Sequence, residues 1–464
     1  MPQAAAEVEQ AQKPQGDLRS LGRVAISGTV WSVATYGVSM CLRLFTNIVL
    51  SRMLAPENFG LMTLLNTTIT GLSLFSDIGL TPNIIRSTGG DDPKFLNTAW
   101  TIQVIRGGAL WLICVCISLP FASFYREPQL KYLVPIIGFS LIATSFVSTS
   151  VSTLARRMAV RQLSLMDLGI YACQLVATVA WALVDRSVWA LVFGKLFSDV
   201  VRVIVSYWMI PCQTNRFHWD HEAAREIFTL GRWVFLSTAF TFLAGQSDRL
   251  ILGRLVSFPT LAMYGMAFAL SDIPRQIIMT FRGFIVMPFV AKLAHRPRKE
   301  FFTLVLNYRR TVLLAAAVLL AFVVTCGDLA MWRLYDSRYH GATWMVPILA
   351  FGLWQTILYT TTSPCLFVIG DSRNAAIGYG CSGLTLLLLT PLAFYHWGLS
   401  GGICAIAFGD FPAYLVNLYG LRRNKMNPLA QDFALTVVFL ALVISFAAFR
   451  ISIGFPFPQI VDLH

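Results

Sequence analysis

Basic side chains lie deep inside the apolar stretches of this sequence, where a charge is costly. Arg43 lies in the first long apolar stretch, and Lys195 and Arg202 lie in the sixth. A charge at the centre of a bilayer costs at least about 2.5–3.5 kcal/mol, so such a residue must face protein or a wet cavity. Guanidinium groups make bidentate hydrogen bonds to phosphate oxygens. These residues therefore indicate an internal site for an anionic group such as a diphosphate.

The first apolar stretch carries a polar stripe along one helical face. Steps of three and four residues, which follow one side of a helix, separate Ser32, Tyr36, Ser39, Arg43 and Asn47. At 1.5 Å per residue, Arg43 lies about 13 Å from the outer end of the stretch. That depth is too great for its side chain to reach the surface comfortably. We therefore expect Arg43 and Asn47 to face a substrate-binding cavity.

The sixth apolar stretch holds three charges at positions i, i+4 and i+7. This spacing predicts that Lys195, Asp199 and Arg202 share one face, with Asp199 between two cations. Two interpretations stay open. The residues form a structural ladder of ion pairs, or the two cations contact an anionic substrate. In both interpretations this face points to the interior of the protein.

The remaining ionisable residues of the apolar stretches have less distinctive positions. Asp248 and Arg249 lie nearer the outer surface, so we favour an extended, water-reaching Arg249 over a ligand role for Arg249 by itself. Asp272 and Arg275, three residues apart, can pair with each other. Helix-terminal or interfacial roles are expected for Asp77, Arg106, Asp167 and Asp410. Structural or coupling roles are expected for the carboxylates Asp77, Asp199, Asp248 and Asp272.

Membrane-spanning helices are the elements that hold these residues. The chain is 56% hydrophobic and only 13% charged, whereas soluble domains usually carry about 25% charged residues; its mean hydropathy is +0.64. A span needs about 20 mainly apolar residues. On that criterion the sequence predicts an all-α integral membrane protein with thirteen spans, twelve and fourteen being the alternatives. The expected spans are 24–50, 58–80, 99–124, 131–154, 163–184, 187–210, 230–253, 259–282, 304–330, 343–369, 374–396, 400–420 and 433–449.

The orientation follows from the uneven distribution of Lys and Arg between the two sets of loops, because cytoplasmic loops are richer in both. One set is strongly basic and includes Arg19, Arg23, Arg156, Arg157, Arg309, Arg310, Arg422 and Arg423. The other set has only Arg52, Arg126, Lys131, Arg186, Arg254, Arg333, Arg338 and Arg450. This asymmetry predicts a cytoplasmic N-terminus. The net charge of +13 then reflects the orientation of the chain and its attraction to anionic lipid. It gives no reason to expect a nucleic-acid partner.

An internal repeat and the longer cytoplasmic connections predict the domain organisation. The segment 50–54 resembles 252–256, and each is followed by a proline, Pro56 or Pro259. Both copies begin on the cytoplasmic side, so the repeat is parallel. We expect a cytoplasmic polar tail at 1–22, an N-terminal six-helix bundle at 23–210, a cytoplasmic linker at 211–229, a C-terminal six-helix bundle at 230–425, and an additional helix with a tail at 426–464.

Motifs for common catalytic chemistry are missing from the sequence. It contains no GxxxxGK[ST] loop, since Gly194 and Lys195 are followed by Leu196 inside an apolar stretch, and it has no HExxH or GxSxG motif. The cysteines lack metal-ligand spacing and are interpreted as packing residues. The external connections are short, the longest at about 331–342. We therefore expect neither an enzyme nor a cofactor-binding or metal-binding protein.

Four sequence strings resemble the polysaccharide-repeat (Wzx-like) flippases of the multidrug/oligosaccharidyl-lipid/polysaccharide superfamily, which also contains drug exporters and lipid II flippases. Their order and spacing match over about residues 20–425. The strings are Ser27-Gly28-Thr29-Val30-Trp31, Leu50-Ser51-Arg52-Met53-Leu54-Ala55-Pro56-Glu57-Asn58-Phe59-Gly60-Leu61, Asp77-Ile78-Gly79-Leu80 and Asp248-Arg249-Leu250-Ile251-Leu252-Gly253-Arg254.

This resemblance implies two parallel six-helix bundles around a central cavity that works by alternating access. It implies a substrate, undecaprenyl-diphosphate-linked oligosaccharide, that is flipped across the bacterial inner membrane for exopolysaccharide, capsule or O-antigen synthesis. Arg43, Arg52 and Arg254 match the cavity arginines of the lipid II flippases. With the deep residues above, the expected substrate-binding set is Arg43, Asn47, Arg52, Lys195, Arg202, Arg249 and Arg254.

Two other functions are kept as alternatives. A cation-coupled multidrug exporter of the same superfamily would need an acidic cavity, whereas the deep charges here are mainly basic. A membrane polysaccharide polymerase or ligase would need large external loops. The expected partners are the lipid-linked oligosaccharide, membrane lipids, and a polysaccharide polymerase with its export machinery.

Overall fold

The computed structural model describes residues 15–87, 90–157, 159–209, 215–282 and 297–458. Within these ranges the chain forms helices and no strand. The α-helices are α1 (Gln15–Met53), α2 (Pro56–Leu74), α3 (Leu80–Arg86), α4 (Pro93–Tyr125), α5 (Leu130–Ser145), α6 (Ser150–Arg156), α7 (Val160–Val184), α8 (Val188–Trp208), α9 (His221–Leu255), α10 (Phe258–Ser271), α11 (Ile273–Phe281), α12 (Arg298–Leu334), α13 (Met345–Val368), α14 (Ser372–Ala407), α15 (Phe411–Arg423) and α16 (Leu429–Ser452).

The predicted all-α membrane fold is confirmed. Five helices of the described chain are long and apolar enough to cross a membrane, or six if the bent pair α5 and α6 forms one span. Each of the thirteen expected spans falls on a helix or on a pair of helices separated by a short break. Most of the expected tail 1–22, part of the linker 211–229 and most of the loop 283–303 lie outside the described residues.

Local sequence explains where the spans break. Gly79, between α2 and α3, has φ = 64°, a conformation that glycine adopts at low cost. The carboxylate of Asp77 accepts a hydrogen bond from the Gly79 N–H over 2.9 Å, which supports the helix-terminal role expected for Asp77. Gly398 has φ = 62° inside α14 and divides it into two spans. The span formed by α10 and α11 breaks at Asp272, beside Pro274.

The packing of the first six spans recurs in the next six. In the first half, α1 packs on α7, α4 on α5, α7 on α8, and α5 on α8. In the second half, the equivalent spans pack in the same order: α9 on α14, α12 on α13, α14 on α15, and α13 on α15. This pattern is what a parallel repeat requires. The boundaries of the two six-helix bundles stay a prediction.

Apolar packing closes the two halves against each other at one end of the molecule. Leu54 and Leu64 of the first half share a buried cluster with Leu252 and Leu261 of the second half. These residues lie near the helix ends that lead to the loops predicted to be external. The guanidinium of Arg338, in one of those loops, also donates to the Ser51 carbonyl over 2.9 Å. We call this closed region the outer seal.

The last helix is longer than the sequence predicted. The expected span 433–449 stopped at charged residues, whereas α16 runs over Leu429–Ser452, 24 residues. Asp432 and Arg450 at its two ends are buried in ion pairs with α12: Arg309–Asp432 at 2.6 Å and Arg450–Asp328 at 2.6 Å. The expectation that Arg309 and Arg450 are loop charges is therefore wrong, because a buried partner holds each of them inside the helical region.

Candidate functional site

A central cavity of about 450 Å³ lies between the two halves of the protein. Helices α1, α7 and α8 of the first half and α11 of the second half provide its walls. Its volume is within the range of small-ligand sites. Most of the lining residues are polar or charged: Thr35, Tyr36, Ser39, Arg43, Ser164, Asp167, Tyr171, Arg202, Gln276 and Thr280. Tyr36, Ser39 and Arg43 of the polar stripe expected on the first span therefore face this cavity.

Arg43 is the central cation of the cavity. Its guanidinium donates a hydrogen bond to the Tyr171 hydroxyl, and its Cζ lies 4.6 Å from the centroid of the Tyr171 ring. Within the described chain, no carboxylate lies within ion-pair distance of Arg43, unlike most other deep arginines. Tyr171 therefore holds the guanidinium in place without neutralising its charge, and the charge is available to an anionic ligand.

The expected ladder on the sixth span is only half formed. Lys195 pairs with Asp199 at 2.6 Å, and Asp199 also accepts a hydrogen bond from the Ser140 hydroxyl over 2.6 Å. Arg202 instead pairs with Asp167 of α7 at 2.9 Å. The prediction that Asp199 lies between two cations is therefore wrong, because the Arg202 side chain reaches across to the neighbouring helix.

Asp199 and Asp167 have different environments as a result. Asp199 is 3% exposed and packed between α5 and α8, so it belongs to the helix interface. Asp167 lines the central cavity with a side chain that is 47% exposed. Asp167 is therefore part of the cavity wall, where the sequence suggested a helix-terminal or interfacial role.

A second cavity, of about 300 Å³, lies between α1, α2, α9 and α10. Its lining includes Asn47 of the polar stripe, together with Gln246 and Arg249. Arg249 donates to the Gln246 side-chain oxygen and lies 4.9 Å from the ring centroid of Phe268. The structure therefore places Arg249 on a cavity wall, where the sequence favoured a side chain extended toward the outer surface.

Asp248, next to Arg249 in the chain, is not among the lining residues of this cavity. It is 5% exposed and accepts a hydrogen bond from the Tyr264 hydroxyl. Its Oδ1 atom has no hydrogen-bond partner among the described residues. Burying a carboxylate without a paired cation is costly, which agrees with a structural or coupling role for Asp248. That role stays a prediction.

A chain of hydrogen bonds joins the two halves beside the central cavity. The Tyr36 hydroxyl of α1 donates to the Gln276 side-chain oxygen of α11 over 2.8 Å. The Gln276 amide donates to Asp272 over 3.0 Å, and Arg275 donates to the same carboxylate over 2.8 Å. The expected pairing of Asp272 with Arg275 is therefore present, and it anchors the residue that contacts the first half.

The other two arginines suggested by the family resemblance lie away from the cavities described above. Arg52 donates to the Leu334 carbonyl over 3.4 Å at the outer end of α1. Arg254 lies at the end of α9, 5.5 Å from the ring centroid of Phe124. The structure therefore brings Arg43 and Arg202 together in the central cavity, but it does not bring Arg52 or Arg254 to them.

Sequence reasoning missed two residues that hold the cavity arginines, Asp167 and Tyr171. They lie four residues apart on α7, and both line the central cavity. Their i, i+4 spacing was visible in the sequence and indicates a shared helical face. The packing of α1 and α8 against that face required the structure.

Curated relatives are similar over most of the chain. The succinoglycan biosynthesis transport protein ExoT of Rhizobium meliloti is 22% identical over 342 residues, which cover 74% of this chain and 68% of that protein. The lipopolysaccharide biosynthesis protein WzxC of Escherichia coli is 18% identical over 408 residues, covering 86% and 80% of the two chains. The teichuronic acid biosynthesis protein TuaB of Bacillus subtilis is 20% identical over 318 residues, covering 68% of this chain and 64% of that protein.

Solved structures share the fold at low sequence identity. The lipid II flippase MurJ in an inward closed conformation matches with a TM-score of 0.70 and 14% identity, covering 92% of this chain and 94% of that chain. An inward-facing multidrug resistance MATE family transporter of the MOP superfamily matches with a TM-score of 0.64 and 14% identity, covering 85% and 94%. The family model for polysaccharide biosynthesis proteins matches residues 49–343, which is more than half of the chain. The chain therefore belongs to the polysaccharide biosynthesis protein family.

Proposed function

We propose that this protein flips undecaprenyl-diphosphate-linked oligosaccharide repeat units from the cytoplasmic to the periplasmic leaflet of the bacterial inner membrane. The observation that supports this proposal most strongly is Arg43, a cavity arginine with no carboxylate within ion-pair distance in the described chain. The relatives named for succinoglycan transport, lipopolysaccharide synthesis and teichuronic acid synthesis indicate that the repeat unit belongs to a surface polysaccharide.

The charge balance of the central cavity favours a diphosphate. Among the described residues, three charged side chains line it, namely those of Arg43, Arg202 and Asp167. Because Asp167 neutralises Arg202, one positive charge remains. Charge-assisted hydrogen bonds from guanidinium to phosphate oxygens are among the stronger contacts available to a protein. Arg43 is the residue that supplies them in this proposal.

The closed outer end gives the direction of loading. The outer seal separates the cavities from the side of the short external loops, and the predicted orientation makes that side periplasmic. A headgroup therefore enters from the cytoplasmic leaflet, where lipid-linked repeat units are made. Opening of the outer seal then releases it on the other side, in an alternating-access cycle. In this scheme the N-terminus is cytoplasmic.

The partners in this proposal follow from the same scheme. The substrate's polyprenyl chain stays in the bilayer, so membrane lipids surround the protein throughout the cycle. A polysaccharide polymerase and export machinery receive the unit in the periplasmic leaflet. The protein itself needs no cofactor and makes or breaks no covalent bond during translocation.

The two alternatives are less well supported. Structural similarity to multidrug transporters shows a shared fold at 14% identity, and the central cavity has more basic than acidic lining residues, which disfavours cationic drugs. A polymerase or ligase needs external elements to hold its chemistry. Between α12 and α13, where the longest external connection was expected, the structure has only a short 3₁₀ helix, Ser337–Ala342.

Deletion of the gene tests the proposal. We expect the deletion strain to lose its surface polysaccharide and to accumulate lipid-linked repeat units in the cytoplasmic leaflet. Expression of the wild-type chain from a plasmid should restore the polymer. Normal polymer in the deletion strain would contradict the proposed function, and higher sensitivity to cationic drugs with normal polymer would favour the exporter.

A further inference from the structure

A third cavity, which we call the side cavity, lies within the first half of the protein. It has a volume of about 280 Å³ and is formed by α2, α3, α4, α5, α6 and α8 around the bend between α5 and α6. Its lining includes Ser73, Gln103, Arg106, Thr144, Ser152 and Arg202. A cavity with polar walls is filled by water or by a polar ligand, so the side cavity is a candidate binding site.

The side cavity adjoins the central cavity. Arg202 of α8 lines both of them, so a ligand held by Arg43 has a neighbouring polar space on the other side of Arg202. The position of the side cavity along the spans also agrees with entry of a ligand from the cytoplasmic side. Ser73 lies in the last turn of α2 and Ser152 lies in α6, both toward the cytoplasmic ends of their spans in the predicted orientation.

The walls of the side cavity offer both donors and acceptors. Arg106 donates to the Ser76 hydroxyl over 2.9 Å and to the Ser73 carbonyl over 2.8 Å. Among the described residues no carboxylate forms an ion pair with Arg106, and its guanidinium keeps donors available for a ligand. The Thr144 hydroxyl donates to the Ser140 carbonyl of its own helix over 2.7 Å, which leaves its oxygen able to accept. Sugars present many hydroxyl groups that both donate and accept, and such walls can satisfy them.

We propose that the side cavity binds the sugar residues next to the diphosphate of the lipid-linked repeat unit. This inference rests on the proposed function, because it assigns to the side cavity the part of the substrate that follows the headgroup. Arg43 holds the diphosphate in the central cavity, and Arg202 lies at the junction between diphosphate and glycan. The hydroxyl groups and Arg106 of the side cavity then contact the first sugars.

Two lipid probes separate the glycan from the headgroup. The purified protein in lipid nanodiscs is assayed for binding of bare undecaprenyl diphosphate and of the undecaprenyl-diphosphate-linked repeat unit extracted from the deletion strain. The wild-type protein should bind the repeat unit at least about tenfold more tightly than the bare lipid. Thr144→Leu fills part of the side cavity with an apolar group, so it should abolish this difference while binding of the bare lipid stays unchanged.

A matched control and a second variant complete the test. Thr385 of α14 makes the same backbone hydrogen bond, to the Cys381 carbonyl over 2.8 Å, and it lines none of the three cavities, so Thr385→Leu should behave as wild type. Ser73→Leu, on a different helix of the side cavity, replaces Thr144→Leu if that variant does not reach the membrane. Undiminished preference for the repeat unit in the side-cavity variants would overturn the inference. Failure of the wild-type protein to bind either lipid would overturn the proposed function itself.

Discussion

The guanidinium of Arg202 lies 2.9 Å from the carboxylate of Asp167 on the neighbouring helix. This pair divides the charges of the sixth span into two sets with different tasks. Lys195 and Asp199 form one set within the helix interface, and Arg202 forms the other with a residue of the cavity wall. Arg43 consequently remains the cation of the central cavity that no carboxylate neutralises in the described chain.

Asp199→Asn should destabilise the protein without removing any residue that lines the central cavity. The substitution leaves Lys195 without a carboxylate, and breaking a buried pair costs about 3–5 kcal/mol. We expect the lower end of that range, because the Lys195 side chain is 29% exposed. Thermal unfolding in detergent and protein level in the membrane measure the effect.

Asp167→Asn is the matched control for this prediction. Its carboxylate is about half exposed, and pairs in contact with water contribute about 1 kcal/mol or less. Its protein level should therefore stay near that of the wild type. A stable, abundant but inactive Asp199→Asn protein would show that Asp199 acts on substrate instead of holding the helices.

The ion pair between α12 and α16 supports a second prediction. Arg309 is buried, and it donates to Thr361 and to the Leu358 carbonyl as well as pairing with Asp432. Arg309→Met should lower stability by about 3–5 kcal/mol, because it leaves the buried Asp432 carboxylate without its cation and with only the hydrogen bond from the Tyr414 hydroxyl. The double variant Arg309→Met with Asp432→Leu should recover much of that loss. Thermal unfolding of the two variants provides the comparison.

Arg310→Met controls for the loss of a positive charge at the same depth, since Arg310 is exposed. This variant should remain within about 0.5 kcal/mol of wild type. Equal stability of Arg309→Met and Arg310→Met would mean that the ion pair does not fix α16 to α12.

The sequence located the helices because the requirement for about 20 apolar residues is local in the chain. It also predicted that Arg43 faces an internal cavity, since a polar stripe on a helix depends only on spacing. The partner of Arg202 could not be predicted, because Asp167 is on another helix. The ends of α16 were misplaced for the same reason. Asp432 and Arg450 appeared to end an apolar stretch, whereas Arg309 and Asp328, more than 100 residues away, neutralise them.

The outer seal depends on a close approach of α2 and α10 at Gly60. A Cβ atom on Gly60 would lie 2.0 Å from the Phe258 carbonyl oxygen, so Gly60→Ala must push the helices apart. Overpacking of this kind costs about 1–3 kcal/mol and should shift roughly tenfold more of the protein toward an outward-open state. Labelling of Thr63→Cys in a cysteine-depleted background, with a membrane-impermeant reagent added from the periplasmic side, measures that shift.

Gly265→Ala provides the control, because a Cβ there would meet Thr63 at an ordinary 3.5 Å. Because Gly265 contacts Thr63, the labelled residue in this comparison is Asn66→Cys, at a position that also lines the second cavity. Gly265→Ala should label like the parent protein. Unchanged labelling in Gly60→Ala would show that this contact does not maintain the outer seal.

Arg43 should be essential for transport but dispensable for folding. Arg43→Ala removes the unneutralised cation of the central cavity, and losing a charge-assisted hydrogen bond weakens binding by about 1.5–3 kcal/mol, roughly ten- to a hundredfold. Arg43→Lys keeps the charge but loses the bidentate geometry, so partial activity is expected. Polymer export from membranes matched for protein content measures both variants. A variant that disappears from the membrane would make Arg43 a structural residue.

Translocation by the purified protein is the measurement that tests the central claim most directly. Proteoliposomes are prepared with the undecaprenyl-diphosphate-linked repeat unit, and the glycan that becomes accessible on the opposite leaflet is followed over time. The account predicts that the wild-type protein moves the repeat unit between leaflets well above the rate in protein-free liposomes. It also predicts that Arg43→Ala, reconstituted at equal density, does not. Translocation that is absent with wild-type protein, or equally fast with Arg43→Ala, would contradict the account.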